Sequence, residues 1–415
     1  MTDIKPQVNI DELMAELTSL AQISEAEPPV VTRVVFSEAD LRARSYVKGL
    51  GQALGLTIHE DAVGNTFLRW IGTEPDLPPV ATGSHIDAIP NAGAYDGTVG
   101  VLGGLEAIRS LQRAGFQPRR SIELVIFTSE EPTRFGIGCL GSRMMGSVMS
   151  PDHARSLRDK EGRSLDELRN AAGFTGDLKS VALNQGHYHA FVELHIEQGP
   201  LLERKGLDLG IVTHIAAPAS LRVQIEGEGG HAGAMLMPDR HDALAAAAEL
   251  ILTLESAAKS TGAIDTVATV GVCEIFPGAV NSVPSRVRLE TDIRDIDGHR
   301  RDAVIAQFEA AAAETAHRRG VQISFETVNA DPPAACDTAI LAAIHEAAAA
   351  TGRGSKTMVS RAYHDSLFVA RFAPVAMIFI PCRNGVSHRP DEYSSPEWIA
   401  AGVETLARTL TRLAQ

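Results

Sequence analysis

The sequence predicts an α/β fold: a mixed sheet flanked by helices, interrupted by a smaller inserted α+β domain. Three observations carry that expectation. Short apolar runs alternate with helically spaced apolar residues over the first half of the chain. Near Gly210 the pattern changes to long amphipathic strands and Ala-rich helices, and after about residue 330 the first pattern returns. At 415 residues the chain is also too long for one small core, so two domains are expected.

The elements follow in order. Ser37 stands where a helix cap belongs, ahead of Leu41, Tyr46, Val47, Leu50 and Leu54 on roughly one face. "PPVATGSHID" (78–87) reads as a buried strand leaving into a loop, and Val101, Leu102, Leu105 and Ile108 then recur at helical spacing. "SIELVIFTSE" (121–130) and "HAFVELHIEQG" (189–199) are two more strands. Next, "SLRVQIEGEGGHAG", "DRHDALAAAAELILTLESAA", "DTVATVGVCEIFP", "RVRLETDIRDID" and an Ala-rich helix over 304–318 spell strand–helix–strand–strand–helix. That order predicts a ferredoxin-like α+β sandwich with an open antiparallel sheet. It is expected to span 213–329, leaving 1–212 and 330–415 as one discontinuous domain. That domain closes on a helix capped by Ser395, with Pro396 at its first position.

Composition excludes several classes of partner. A formal net charge of -14 repels phosphates, so neither nucleic acid nor an anionic membrane is expected. No run approaches the ~20 apolar residues that span a bilayer. The opening "MTDIKPQVNIDELM" lacks the basic-then-apolar pattern of a secretory signal. Cys139, Cys273, Cys336 and Cys382 form no C-x-x-C pair and read as reduced thiols, so the expected compartment is the cytoplasm.

Candidate metal donors stand at the ends of the strand-like runs. "GSHIDAIP" offers His85 and Asp87; in extended backbone they point the same way, so one can ligate while the other orients it. "GAYDGTVG" places Asp96 in a glycine loop before a helix. "SEEP" gives Glu130 and Glu131, "ELHIEQGP" gives His195 and "GVSHRPDE" gives His388. The donors are nitrogen and oxygen only, which suits Zn²⁺ or Mn²⁺, with Co²⁺ and Ni²⁺ also accommodated. The set divides in two: His85, Asp96 and His195 for one ion; Asp96, Glu131 and His388 for the other. Asp96 would bridge ions ~3.5–4 Å apart, leaving Glu130 as general base toward the activated water.

Each piece has a bland reading. A Glu-Glu pair ending a strand is commonly a solvated turn, a His-x-Asp a structural pair, and His388 before Arg389 and Pro390 a surface loop. The joint pattern outweighs them, because five separated segments put imidazole or carboxylate at a strand-to-loop transition. His59, His153, His241, His299, His317 and His345 read as surface residues, and His187, His189 and His214 as structural.

Over nearly its whole length the sequence resembles the amidase/hydantoinase/carbamoylase branch of the dinuclear metallo-aminoacylase/carboxypeptidase superfamily. The resemblance is carried by "GSHIDAIPNAGAYDGTVGVLGGLEAI", "FTSEEPTRFG", "ELHIEQGPLLE", "GGHAG", "AVNSVPSRVRLETDIR" and "GVSHRPDEYS". It implies a zinc-peptidase-like catalytic domain binding two divalent ions, and an inserted domain that pairs two subunits into a homodimer. Asp96 takes the bridging role and Glu130 that of the base. Peptidase relatives carry a carboxylate where this chain has His195, whereas ureido-cleaving members carry "HIEQG". The resemblance further implies that His231 is the oxyanion partner, often across the dimer, that Asn281 and Arg294 hold a substrate carboxylate, and that Gln198 contacts the ureido group. A surface ion pair with Asp292 or Asp295 is the plain alternative for Arg294.

Three departures, "GHAGAMLMPDRHD", "SRAYHDSLF" and "PTRFGIGCLGSR", are similar to the plant ureidoglycolate-cleaving type. Arg361, Tyr363 and His364 would then line the substrate pocket, with core packing and a helix cap as the plain alternatives for Tyr363 and His364. The implied activity is hydrolysis of the ureido C–N bond of a small N-carbamoyl acid, of the N-carbamoyl-L-amino acid or ureidoglycolate type. Allantoate and N-carbamoyl-β-alanine are alternative substrates; a deacylase or dipeptidase, and a scaffold without activity, are the rivals.

Overall fold

The computed structural model describes residues 5–415. They form two compact units, one running to Thr213 and resuming over Cys336–Gln415, the other formed by His214–Ala335.

Four parallel strands lie at the heart of the first unit, in the order Val375–Ile380, Ala190–Ile196, Val80–His85 and Ile122–Phe127. Every residue of all four is buried. Parallel strands covered on both faces favour apolar runs over alternation, which is how "VAMIFI" and, but for the buried Glu123, "IELVIF" are written. The helices Thr98–Arg113 and Pro396–Leu413 pack on these strands and on each other. Antiparallel strands extend the sheet on both sides: Thr66–Trp70 and then Thr57–Glu60 beside Ile122–Phe127, and Leu209–Ile215 beside Val375–Ile380. The sheet is therefore mixed, as expected. Because the four central strands run the same way, their carboxyl ends, and the loops that leave them, share one edge.

Local chemistry sets the boundaries. Ser37 and Ser395 accept hydrogen bonds from Asp40 N and Trp398 N, as N-caps do. The strand expected over 121–130 stops at Phe127, because Ser129 takes a left-handed φ of 56° and turns the chain. The helix read from Asp239 begins only at Ala243, after a short 3₁₀ turn at Met237–Asp239, and Asp242 caps it.

The second unit is a four-stranded antiparallel sheet in the order Val267–Phe276, Arg286–Asp295, Ala217–Glu226, Gln322–Ala330. Ala243–Ser260 and Gly298–Arg319 pack against it and against each other. The fourth strand, "QISFETVNA", was not among the expected elements; it lies at an edge with no residue fully buried, and only Ile323 and Phe325 pack partly against the core, a short signature. Phe308 is fully buried in the core, its ring edge-on to Phe325 at 5.6 Å. Phe308→Ala is expected to destabilise this unit by about 3–5 kcal/mol, measured as a drop in its denaturation midpoint. An unchanged midpoint would show that the helix is not held by this ring.

Candidate metal centre

His85 is the last residue of its strand and His195 the last but one of the neighbouring strand. Both imidazoles are fixed by their own backbone. His85 Nδ1 lies 3.0 Å from the Asp87 carbonyl and His195 Nδ1 2.9 Å from the Ile196 carbonyl. A ring that donates from Nδ1 keeps a lone pair on Nε2, the usual arrangement of a metal-binding histidine. Both Nε2 atoms face Asp96 Oδ1, at 3.5 Å and 3.2 Å. Gly97 lets the loop come this close: its φ is +66°, and a β-carbon there would lie 2.4 Å from His85 Nε2.

The other oxygen of Asp96 serves a second group. His388 Nε2 is 3.3 Å from Asp96 Oδ2 and also 3.3 Å from Glu131 Oε1. Within each triad, His85–Asp96–His195 and Asp96–Glu131–His388, the donor atoms lie within 4.8 Å of one another. One carboxylate thus faces both groups, one oxygen to each.

The electrostatics of this cluster call for positive charge. Burial and neighbouring carboxylates push Glu130 well above its ordinary range. Burial and Asp96 push Glu131 up to about 7. Burial alone would raise Asp96 too, but His195, His388 and His85 outweigh it and hold it well below the usual carboxylate range. The Asp96 contact in turn lifts His388 to about 9. These carboxylates make ion pairs with the imidazoles of His85, His195 and His388. A donor set of three imidazoles and carboxylate oxygen, with no thiolate, fits a borderline divalent cation. Such a charge reverses the mutual repulsion that raises the acids.

Glu130 belongs to neither triad. Its Oε2 is 3.8 Å from His85 Nε2, and its Oε1 accepts a hydrogen bond from Cys139 Sγ at 3.4 Å. Asp87 sets the pair of glutamates. Its carboxylate accepts from the amides of Glu130 at 3.2 Å and Glu131 at 3.1 Å. Asp87 reaches His85 through its carbonyl rather than its carboxylate, which lies 3.7 Å from Nδ1. The two glutamates, adjacent in sequence, therefore leave one buried anchor in different directions.

The remaining expected residues divide. Gln198, at a left-handed φ of 55°, donates from Nε2 to Asp96 Oδ2 at 2.7 Å, and its Oε1 is buried with no protein donor. His364 is packed behind His195, with ring centroids 4.6 Å apart, and is 2 % exposed. Its Nε2 meets Ser360 Oγ at 2.9 Å, and burial pushes its pKa well down. Its ring packs against the His195 imidazole, the core-packing alternative rather than the pocket-lining one. His231, Asn281 and Arg294 belong to the second unit. There Ala232 N donates to Asn281 O at 2.9 Å, bringing the His231 and Asn281 loops side by side. Arg294 donates Nε and Nη2 to Asp292 at 2.7 Å and 2.9 Å, the surface pairing that was its plain alternative.

Two supporting groups escaped the sequence reading. Glu392 accepts from the amides of Tyr95 and Asp96 and from Ser387 Oγ. Beneath the site, Glu193 accepts from Ser84 Oγ, Ser366 N and Ser366 Oγ, while Asp365 accepts from Ser142 Oγ. All three lie inside stretches read for other residues, Glu193 in "ELHIEQGP", Asp365 in "SRAYHDSLF" and Glu392 in "GVSHRPDE", and nothing in their spacing marks them as supports.

The model of the peptidase family M20/M25/M40 matches residues 81–412. A curated ureidoglycolate hydrolase of Oryza sativa subsp. japonica is 53% identical over 413 residues, covering 98% of this chain and 85% of the relative. An N-carbamoyl-L-amino acid amidohydrolase of Geobacillus stearothermophilus is 38% identical over 98% of each chain. The crystal structure of AtUAH in complex with glyoxylate superposes with a TM-score of 0.87 at 52% identity, covering 99% of both chains. With a family match over most of the sequence and a donor set suited to divalent cations, the chain belongs to the peptidase family M20/M25/M40, whose members are metal-dependent hydrolases.

Proposed function

We propose that this protein is a metal-dependent amidohydrolase that cleaves the ureido C–N bond of a small N-carbamoyl acid, with ureidoglycolate as the preferred substrate. The observation that carries the reading is the pair of triads sharing Asp96, with Glu130 left over beside them. His85, Asp96 and His195 would hold one divalent ion, and Asp96, Glu131 and His388 the other; Zn²⁺ and Mn²⁺ suit these donors equally. Bound there, such ions supply Lewis-acid activation of water and of the substrate carbonyl.

The chain's own groups do the rest. Glu130 accepts the proton of the attacking water and returns it to the leaving nitrogen, while Asp87 holds its backbone in place. Water adds at the carbamoyl carbon and one C–N bond breaks, freeing one nitrogen; the carbamic acid left behind then loses carbon dioxide, its own proton passing to the second nitrogen, so the products are ammonia, carbon dioxide and the amine-bearing acid. The unpartnered Oε1 of Gln198 suits a ureido N–H donor. His231 would donate to the developing oxyanion, and Asn281 with Arg294 would hold the carboxylate, Arg294 giving up Asp292 to do so.

The 53% identical plant relative, and AtUAH structures solved with glyoxylate and with (S)-hydroxyglycine, favour ureidoglycolate over the other ureido acids. We further propose a homodimer formed through the second unit. Its sheet has two free edges, and Ile275 and Phe276 on one and Val328 on the other are exposed. No helix among the described residues is long and apolar enough to cross a membrane. The four cysteines are unpaired, which suits the cytoplasm.

The test is an ammonia-release screen of the metal-reconstituted protein. Its panel is ureidoglycolate, an N-carbamoyl-L-amino acid, N-carbamoyl-β-alanine, allantoate and an N-acetyl-amino acid. Ureidoglycolate is expected to give the highest kcat/KM, at least about tenfold above the next, the worth of one good differential contact. Cleavage of the acetyl compound with no turnover of any ureido compound would replace this reading by a deacylase.

A further inference from the structure

We propose that Glu392 is a positioning residue that assembles half of the metal centre, tying the Asp96 loop to the His388 loop so that Asp96, Glu131 and His388 hold a cation together. The inference deepens the two-ion reading and rests on it. Asp96 and Glu392 are 296 residues apart in sequence, yet one buried side chain reaches both loops. Glu392 Oε1 accepts from Tyr95 N at 2.7 Å and from Asp96 N at 3.0 Å. Glu392 Oε2 lies 3.0 Å from Ser387 Oγ, and the same hydroxyl meets Asp96 Oδ2. The carboxylate therefore grips the backbone of one ligand and, through Ser387, the residue preceding another. Gly93 passes flush against it, since a β-carbon there would lie 2.4 Å from Glu392 Cβ.

The two halves of the centre differ in what holds them. His85 and His195 sit on buried strands, each with its own carbonyl partner. His388 sits on a surface loop, its side chain 45% exposed, at a left-handed φ of 58°. That conformation costs about 1–2 kcal/mol for a residue with a β-carbon, so the loop needs external ties to keep it. The Tyr95–Tyr393 edge contact at 6.0 Å and Arg383 over the Tyr393 ring at 4.6 Å supply apolar and cation–π ties. Glu392 supplies a buried polar tie, which holds the Asp96 backbone directly and meets the His388 loop at Ser387.

Cation content and affinity, measured by elemental analysis and by competition with a chelator, test this without relying on turnover. The wild-type chain is expected to hold two divalent ions. Glu392→Ala should retain one and bind the other about 10–100-fold more weakly, the usual cost of losing a residue that orients a ligand. Glu392→Gln should stay near wild type, because its amide oxygen can accept from both backbone amides and its nitrogen can donate to Ser387. His388→Ala marks the behaviour of a chain that has lost the second site outright. The proposal is overturned if Glu392→Ala binds both ions as tightly as wild type, loses both alike, or is matched in its defect by Glu392→Gln. Should Glu392→Ala not fold, Ser387→Ala carries the test: undiminished affinity for both ions in that variant overturns the tie. A wild-type chain that holds fewer than two ions would instead remove the two-ion reading, and the tie with it.

Discussion

Glu130→Gln is expected to lower kcat by about 10²–10⁴-fold, the usual contribution of general acid–base catalysis, while leaving cation content and KM nearly unchanged. The geometry separates these readouts. Glu130 donates no atom to either triad, so its loss should not release an ion. The amide is isosteric with the acid, and its oxygen can keep the Cys139 contact that holds Glu130 Oε1. Asp87 binds only the backbone of residue 130, so the loop stays where it is. What the amide cannot do is accept a proton from water. Turnover of the variant, cation content and the unfolding midpoint should be measured on one preparation. Near-normal turnover with both ions in place would remove Glu130 from the chemistry. A loss of ions would make it a ligand, and the division of labour between the two glutamates would fall.

Much of this arrangement was legible because its parts lie close in sequence or on strand ends. A parallel strand buried on both faces writes an apolar run, and a polar residue at its carboxyl end stands out against that run, as His85 and the Glu130–Glu131 pair do. His-x-Asp placed Asp87 beside His85, but could not show that the Asp87 carboxylate turns instead to two amides 43 and 44 residues away. Glu392, Glu193 and Asp365 were invisible for the same reason. Apart from Ser387, five residues from Glu392, their partners lie from 109 to 297 residues distant, and acids of that kind are ordinarily solvated. His364 takes the plainer of its two readings, core packing. Its place in "SRAYHDSLF" suggested a pocket wall, whereas packing sets it behind His195. Arg294 has a carboxylate on its own strand two residues away, and that proximity decides its partner here. The strand Gln322–Ala330 escaped because its apolar alternation is short, with only Ile323 and Phe325 packed partly against the core.

Asp96→Asn is expected to have the largest effect of any single substitution, beyond the ~10⁴-fold that losing general-base catalysis costs, with cation content falling from two to at most one per chain. The reason lies in how its two oxygens are used. Oδ1 faces His85 and His195, and Oδ2 faces His388, Gln198 and Ser387. An amide keeps the size of the group but has one oxygen, no charge and, on its other side, an N–H pair that points donors at lone pairs. One face of the bridge must then meet imidazole nitrogens with a donor that cannot ligate. His388→Ala disturbs the second triad alone and should spare the first ion, so the two variants differ in stoichiometry as well as rate. Because the parts act as a unit, Asp96→Asn combined with Glu130→Gln should be scarcely slower than Asp96→Asn alone. Elemental analysis showing two ions retained in Asp96→Asn would mean that each triad is complete without the shared carboxylate. The centre would then have to be described as two independent sites that happen to adjoin.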